Sequence, residues 1–240
     1  MAIIPPTFVA EYESVWNNSI PPSVSTTTAP DQILAAYGGI HNGSAQLNLP
    51  TGGSLTWTQR QYRKPSNSYC TAYLWSAPTT TTATFNTGLT KVVTDSALMG
   101  INILRFSGSN GIGASANNSA SNGAPTLSLT TTQNNSAIVM LVLDWNGTSG
   151  ARTYRTTNAG SFTEQSYYQA GQWTVQGGYY ANAGTAGAKT LGISAPSGQK
   201  YTIVAMEILG KEEVVEPPET TAVYRLSNGI LLPMTIQMNI

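Results

Sequence analysis

Charge is what this chain has least of. Asp, Glu, Lys and Arg make up only 9% of its 240 residues, and eleven acids against eleven bases leave no net charge. Ordinary globular domains carry a charged share of roughly 25%. Without a run of Lys or Arg there is no basic stripe to follow a phosphate backbone, so nucleic-acid binding is not expected. Intrinsic disorder is excluded from the other side: it needs high net charge and few aromatics, whereas 5 Trp, 12 Tyr and 4 Phe are present. Cysteine is almost absent. Cys70 stands alone, closes no internal disulfide, and reads as a small core residue on an alternating strand. Histidine is equally scarce. The single His41, in the turn-like stretch 38–43, has no second histidine with which to build a metal cluster and reads as a surface polar residue. No basic segment followed by an apolar stretch opens the chain, so no secretory signal is expected. No window reaches the roughly 18 apolar residues of a membrane helix, so membrane insertion is not expected either.

Thr, Ser, Asn, Gln and Gly fill the space left by charge, in a β pattern. Pro and Gly recur every few residues, and no sustained apolar spacing of three and four marks a helix. Short β-branched or aromatic runs with period-two alternation predict strands over 32–37, 54–62, 68–76, 83–87, 100–106, 136–145, 173–180, 189–194 and 200–208. Strands at this spacing predict an all-β fold, an antiparallel β-sandwich of jelly-roll type. The order of elements reads as two pseudo-repeated halves, best seen where 101–108 (INILRFSG) aligns with 203–210 (IVAMEILG). The expectation is two layers whose inner faces bury each other. The small residues of 114–125 predict a long surface crossing between the halves.

Four segments follow. Residues 1–30 read as an N-terminal extended segment with a first strand, and 31–210 as the β-sandwich domain. Residues 211–221 form an acidic, Pro-containing linker, with Glu212, Glu213, Glu216 and Glu219 close together beside Pro217-Pro218. Residues 222–240 form a C-terminal β-hairpin arm, because Asn228-Gly229 between two apolar runs suits a type I′ turn. An isolated hairpin is marginally stable in water. Tyr224, Leu226, Ile230, Leu231, Leu232, Met234 and Ile236 are therefore expected to dock an assembly arm on another surface. The extended segment 3–8 is expected to serve similarly.

Catalytic chemistry finds little to stand on. No phosphate-binding Gly-Lys loop, dinucleotide fingerprint or serine elbow occurs. Glycoside hydrolysis needs two convergent acids; Glu11 and Glu13 share a face if their segment is extended, and Glu164 with Glu207 is the other pair considered. Asp144 in DWNG carries oxygens that suit calcium but reads first as a turn. The expectation is no enzyme, no cofactor and no metal. Aromatics are the remaining binding currency. In the adjacent pairs Tyr167-Tyr168 and Tyr179-Tyr180 one ring is expected to face outward, because side chains alternate on a strand, and such a ring suits a saccharide.

The stretches PPTFVAEYES (5–14), DQILAAYGG (31–39), LRFSGS (104–109) and SAPSGQKY (194–201) carry a resemblance. Over roughly residues 5–210 the chain resembles minor tail and virion structural proteins of tailed phages of actinobacteria. The resemblance implies a virion role, assembly in a host bacterial cytoplasm, other virion proteins as partners and a homo-oligomer, and it carries no site residues. The expected function is a minor tail protein docked through terminal arms and presenting a β-sandwich outward. A capsid decoration protein or head fibre is the first alternative. A carbohydrate-binding adhesin module that takes a host surface glycan is the second.

Overall fold

The computed structural model describes residues 2–14, 16, 21–41, 46–65, 70–92, 97–146, 151–156, 158–213, 223–227 and 230–234. Among them the chain is all-β, without helix, and every strand pairing is antiparallel. It opens on a short β1 (Ile3–Ile4). A five-stranded sheet follows, from β2 (Thr7–Glu13), β4 (Gln32–His41), β5 (Thr58–Arg63), β6 (Cys70–Thr79) and β8 (Met99–Ser107), in the order β2-β8-β4-β6-β5. Beside it β3 (Ser23–Thr28) pairs with β7 (Ala83–Gly88). The second large sheet takes β9 (Ser109–Ala120), β11 (Ala137–Asp144), β13 (Phe162–Ala170), β14 (Trp173–Tyr180) and β16 (Tyr201–Glu212), in the order β9-β16-β11-β14-β13, with β1 on the far end of β16. A three-stranded sheet holds β10 (Thr126–Thr131), β15 (Gly187–Ala195) and β12 (Thr153–Tyr154). The C-terminal β17 (Val223–Ser227) and β18 (Ile230–Met234) form a hairpin, as expected.

The two halves share a pairing order, with β1 and β12 left without a counterpart. The orders β2-β8-β4-β6-β5 and β3-β7 correspond to β9-β16-β11-β14-β13 and β10-β15. The irregularities correspond too: edge strands β5 and β13 each carry a register shift, between Gln59 and Gln61 and between Glu164 and Ser166.

Expected as two layers, the sandwich has four. The two large sheets face each other across a core that joins Tyr37, Leu74, Leu104 and Phe106 to Val139, Leu141, Trp173 and Met206. On the outer face of the first sheet, Leu34, Trp75 and Ile101 pack with Val24 of the β3–β7 pair. On the outer face of the second, Ile138, Met140 and Ile203 meet Leu127, Leu191 and Ile193 of the three-stranded sheet. Both faces of each large sheet are therefore covered. That is why β11 (AIVMLVLD) and β14 (WTVQGGYY) are buried at every position, where a one-sided strand would alternate. The outer layers escaped the sequence reading because their inward positions on β3 are Val24, Thr26 and Thr28, two of them without an apolar signature.

Three further expectations change. Residues 1–30 are not a separate segment: β2 pairs with β8, β3 pairs with β7, and Phe8 stacks on Tyr179 at 4.7 Å. Residues 3–8 are not an arm either, since Ile3 and Ile4 pair with Glu212 and Lys211 of the same chain. The crossing expected over 114–125 is mostly strand β9, whose small Ala, Ser and Asn side chains let it lie close to β5. There Ser115 donates to the Arg60 carbonyl at 2.9 Å, Asn117 to the Gln61 side chain at 2.8 Å and Arg63 to Ser119 at 3.0 Å.

Candidate functional site

Of the four tyrosines singled out, only Tyr167 is exposed, at 36%. Alternation along β13 turns it outward beside the β11–β13 connection. Arg152, from that connection, lies over its ring at 4.0 Å. The same guanidinium grips Glu164 with two bonds, Nε to Oε2 at 2.8 Å and Nη2 to Oε1 at 2.5 Å. The Tyr154 hydroxyl also donates to Glu164. Burial, followed by the neighbouring Glu164, raises the Tyr154 phenol far above its ordinary range, and the Glu164 bond raises the Arg152 guanidinium. The cluster clasps β12 to β13, with one face of the Tyr167 ring already covered by Arg152.

Tyr168 turns inward from the same strand. It joins Trp16, at 6.3 Å between ring centres, and Trp173, at 6.0 Å. His41 belongs to this group rather than to the surface: it stacks on Trp145 at 4.4 Å with planes 8° apart, and burial lowers its pKa. The expectation of one outward ring fails for the pair on β14. Tyr179 is 8% exposed and Tyr180 0%. The side chains do alternate, but each side of the second sheet is roofed. Tyr179 packs against Phe8 and Phe106 in the central core, and Tyr180 reaches the outer one, donating to the Arg155 carbonyl at 3.0 Å.

The acids are spoken for differently from the sequence reading. Glu207 is fully buried, and its carboxylate accepts from the amides of Ala114 at 2.9 Å, Thr132 at 2.9 Å and Gln133 at 3.1 Å, and from the Thr132 hydroxyl at 2.8 Å. Glu164 lies three strands away along β16-β11-β14-β13, about 14 Å at ~4.8 Å per strand. That exceeds the roughly 5–9.5 Å that glycosidic acids need, so these two do not converge. Asp144 is buried within β11 and accepts from Gln176 Nε2 at 3.0 Å, which removes it from a calcium-binding turn. Cys70 is a core residue as expected, 2% exposed, its thiol pushed up to about 12 by burial. Among the described residues no group of three or more His, Cys, Asp and Glu stands together. An open groove of about 830 Å³ runs past Asn158, Asn182, Thr185 and Lys189, and its Lys189 amine already donates to the Thr185 carbonyl at 2.5 Å.

The arm residues Tyr224 and Leu226 lie on β17 and Ile230, Leu231, Leu232 and Met234 on β18, with Leu226 opposite Leu231; Ile236 lies outside the described residues. Compared with known proteins, the chain matches no family model, no curated protein and no solved structure.

Proposed function

We propose that this chain is a structural component of a phage virion, a minor tail protein that docks through its C-terminal arm and holds its β body outward. The carrying observation is the hairpin: among the described residues β17 and β18 pair with each other and with no strand of the body. Such a hairpin is marginal alone; of the linker expected over 211–221, Lys211 and Glu212 instead end β16 and pair with β1, and residues 214–221 lie outside the described residues. A surface outside the chain's own sheets is the natural cover. The body suits the exterior of a particle without disulfides, because its strands pair across long stretches of sequence, such as β2 with β8 and β1 with β16, which slows unfolding. Each half follows a jelly-roll-type winding in this reading. Light scattering is expected to give an oligomer for the full chain and a folded monomer for the chain ended at Glu213. Two equally stable monomers would remove self-assembly through the arm. A symmetric cluster around a capsid axis would move the protein from tail to capsid decoration.

Tyr167 favours the adhesin reading as a second possibility, since it is an outward aromatic flanked by Arg152 and Gln169. Retention of the full chain on host cell-wall glycan is then expected to fall about ten-fold in Tyr167→Ala, the loss typical of one stacking aromatic. Equal retention by the variant removes this reading.

A further inference from the structure

The two edges of the seam between the large sheets are built differently. At one edge β9 and β5 are stitched by Ser115, Asn117 and Arg63, as described above. At the other edge the corresponding strands are β2 and β13; among the described residues no hydrogen bond links those two, and β13 is tied to the first sheet through Tyr37 and Ser166 instead. The registers define the correspondence. Glu11 stands opposite Leu104 and Glu13 opposite Asn102 on β8, while Ser115 stands opposite Met206 and Asn117 opposite Val204 on β16. Where one seam has a hydroxyl and an amide that reach across, the other has two carboxylates.

Both carboxylates belong to the inner face. Glu11 Oε1 accepts from Asn102 Nδ2 at 3.2 Å, and both glutamates act on the buried Tyr37 phenol, which burial above all pushes up. On an extended strand they are about 6–7 Å apart from Cα to Cα. Neither has an ion-pair partner among the described residues. Arg105, the base nearest on β8, points to the opposite face and donates to the Thr27 carbonyl at 2.6 Å. Asn102 adds the observation that points to a ligand: its side chain is 0% exposed, yet its Oδ1 has no hydrogen-bond partner. Buried amide oxygens are almost always satisfied. An unsatisfied one on a side chain that bonds Glu11 and stands opposite Glu13 marks a place for positive charge.

We propose that Glu11, Glu13 and Asn102 bind a divalent cation of the calcium class at this edge. The donors are all oxygen, carboxylate and amide carbonyl, which suits a hard cation. The part-exposed edge leaves room for water to complete six to eight ligands, a flexibility calcium accepts and magnesium resists. Bound there, the ion relieves the Glu11–Glu13 repulsion and satisfies Oδ1. Burial and the Glu13 charge now hold the Glu11 carboxyl above its ordinary value, opposed by the Asn102 bond. The ion also ties the edge strand β2 to β8 beyond their backbone pairing.

Terbium is the probe. Tyr12, Trp16 and Tyr37 lie near the site and transfer excitation to a bound lanthanide. Added to the full chain at neutral pH and excited at the aromatic band, terbium is expected to give saturable emission that calcium displaces and potassium does not. Glu11→Gln and Glu13→Gln are each expected to weaken that binding about ten-fold or more. The proposal is overturned if no calcium-displaceable emission develops, or if the Glu11→Gln/Glu13→Gln double variant retains it, which would place the ion on the acidic C-terminal segment. Should the variants not fold, anomalous diffraction from terbium-soaked wild-type crystals decides. Metal between Glu11 and Glu13 upholds the proposal, and metal only elsewhere ends it.

Discussion

Glu207→Leu is expected to lower stability by about 4 kcal/mol, because it removes the one acceptor that the amides of Ala114, Thr132 and Gln133 and the Thr132 hydroxyl share, at about 1 kcal/mol for each bond. For a chain of this length that is a fall in melting temperature of about 8–16 °C. Glu207→Gln should lie between, since its amide keeps one oxygen but turns an NH₂ toward N–H donors. The pH dependence has a definite sign. Burial alone would raise the Glu207 carboxyl, but the Ala114 and Thr132 amides and the Thr132 and Ser136 hydroxyls together hold it below its ordinary range. A carboxyl depressed in the folded state stabilises above its unfolded pKa, about 4.3, and loses that contribution as pH falls through its folded value. Melting curves of wild type and Glu207→Leu should therefore differ fully at pH 7 and converge in acid. A constant gap from neutral to strongly acid pH would show that shape, not charge, explains the loss.

This carboxylate also explains part of what the sequence concealed. It ties β16 to the middle of β9 and to the β10–β11 turn, places that lie apart in the chain. Its signal was available: an acid inside the apolar run YTIVAMEIL has to be satisfied internally. Its partners were not readable, because backbone amides leave no mark in a sequence. The large sheets were legible where apolar residues run unbroken, as in β11 and β16. The alignment of 101–108 with 203–210 even fits the facing of the side chains: Ile101 and Ile203 belong to outer cores, Leu104 and Met206 to the central one. Strands β3, β9 and β10 were missed because Thr, Ser, Ala and Asn serve loops and covered strands alike. The tyrosine pairs were misjudged for one reason. Alternation says which side a ring takes, and only the layer count says whether that side is wet.

The recurrence of pairing has an energetic consequence, because it sets side chains of the two halves against each other at corresponding sites. Tyr37 is the cross-strand neighbour of Leu74 in the first sheet, and Leu141 of Gly177 in the second. Through Ala35–Leu104 and Val139–Met206, Tyr37 corresponds to Leu141 and Leu74 to Gly177. The central core thus carries unlike residues at register positions that correspond between the two sheets. The Tyr37 ring crosses the seam and lies over Gly177, where a Cβ would come within 2.3 Å of it. The ring cannot retreat, being fully buried and hydrogen-bonded through its hydroxyl to Ser166 at 2.8 Å.

Gly177→Leu is therefore expected to cost about 3 kcal/mol through overpacking, a melting decrease of about 6–12 °C. Tyr37→Leu alone should cost about 2–4 kcal/mol, from the space it empties and the Ser166 hydroxyl it leaves unpaired. Combined, the two substitutions place leucine at all four corresponding sites, and the side chain introduced in place of Gly177 fills the volume the tyrosine gave up. The double variant should be more stable than the sum of the single losses predicts by about 1–2 kcal/mol, a coupling within the range of directly contacting residues. Thermal or denaturant unfolding of the four chains measures it. Additive losses would mean that the seam tolerates only its present shape, and that the correspondence of the halves ends at the backbone. Recovery would show that the two sheets still pack by one rule, with Tyr37 and Gly177 a single compensated exception to it.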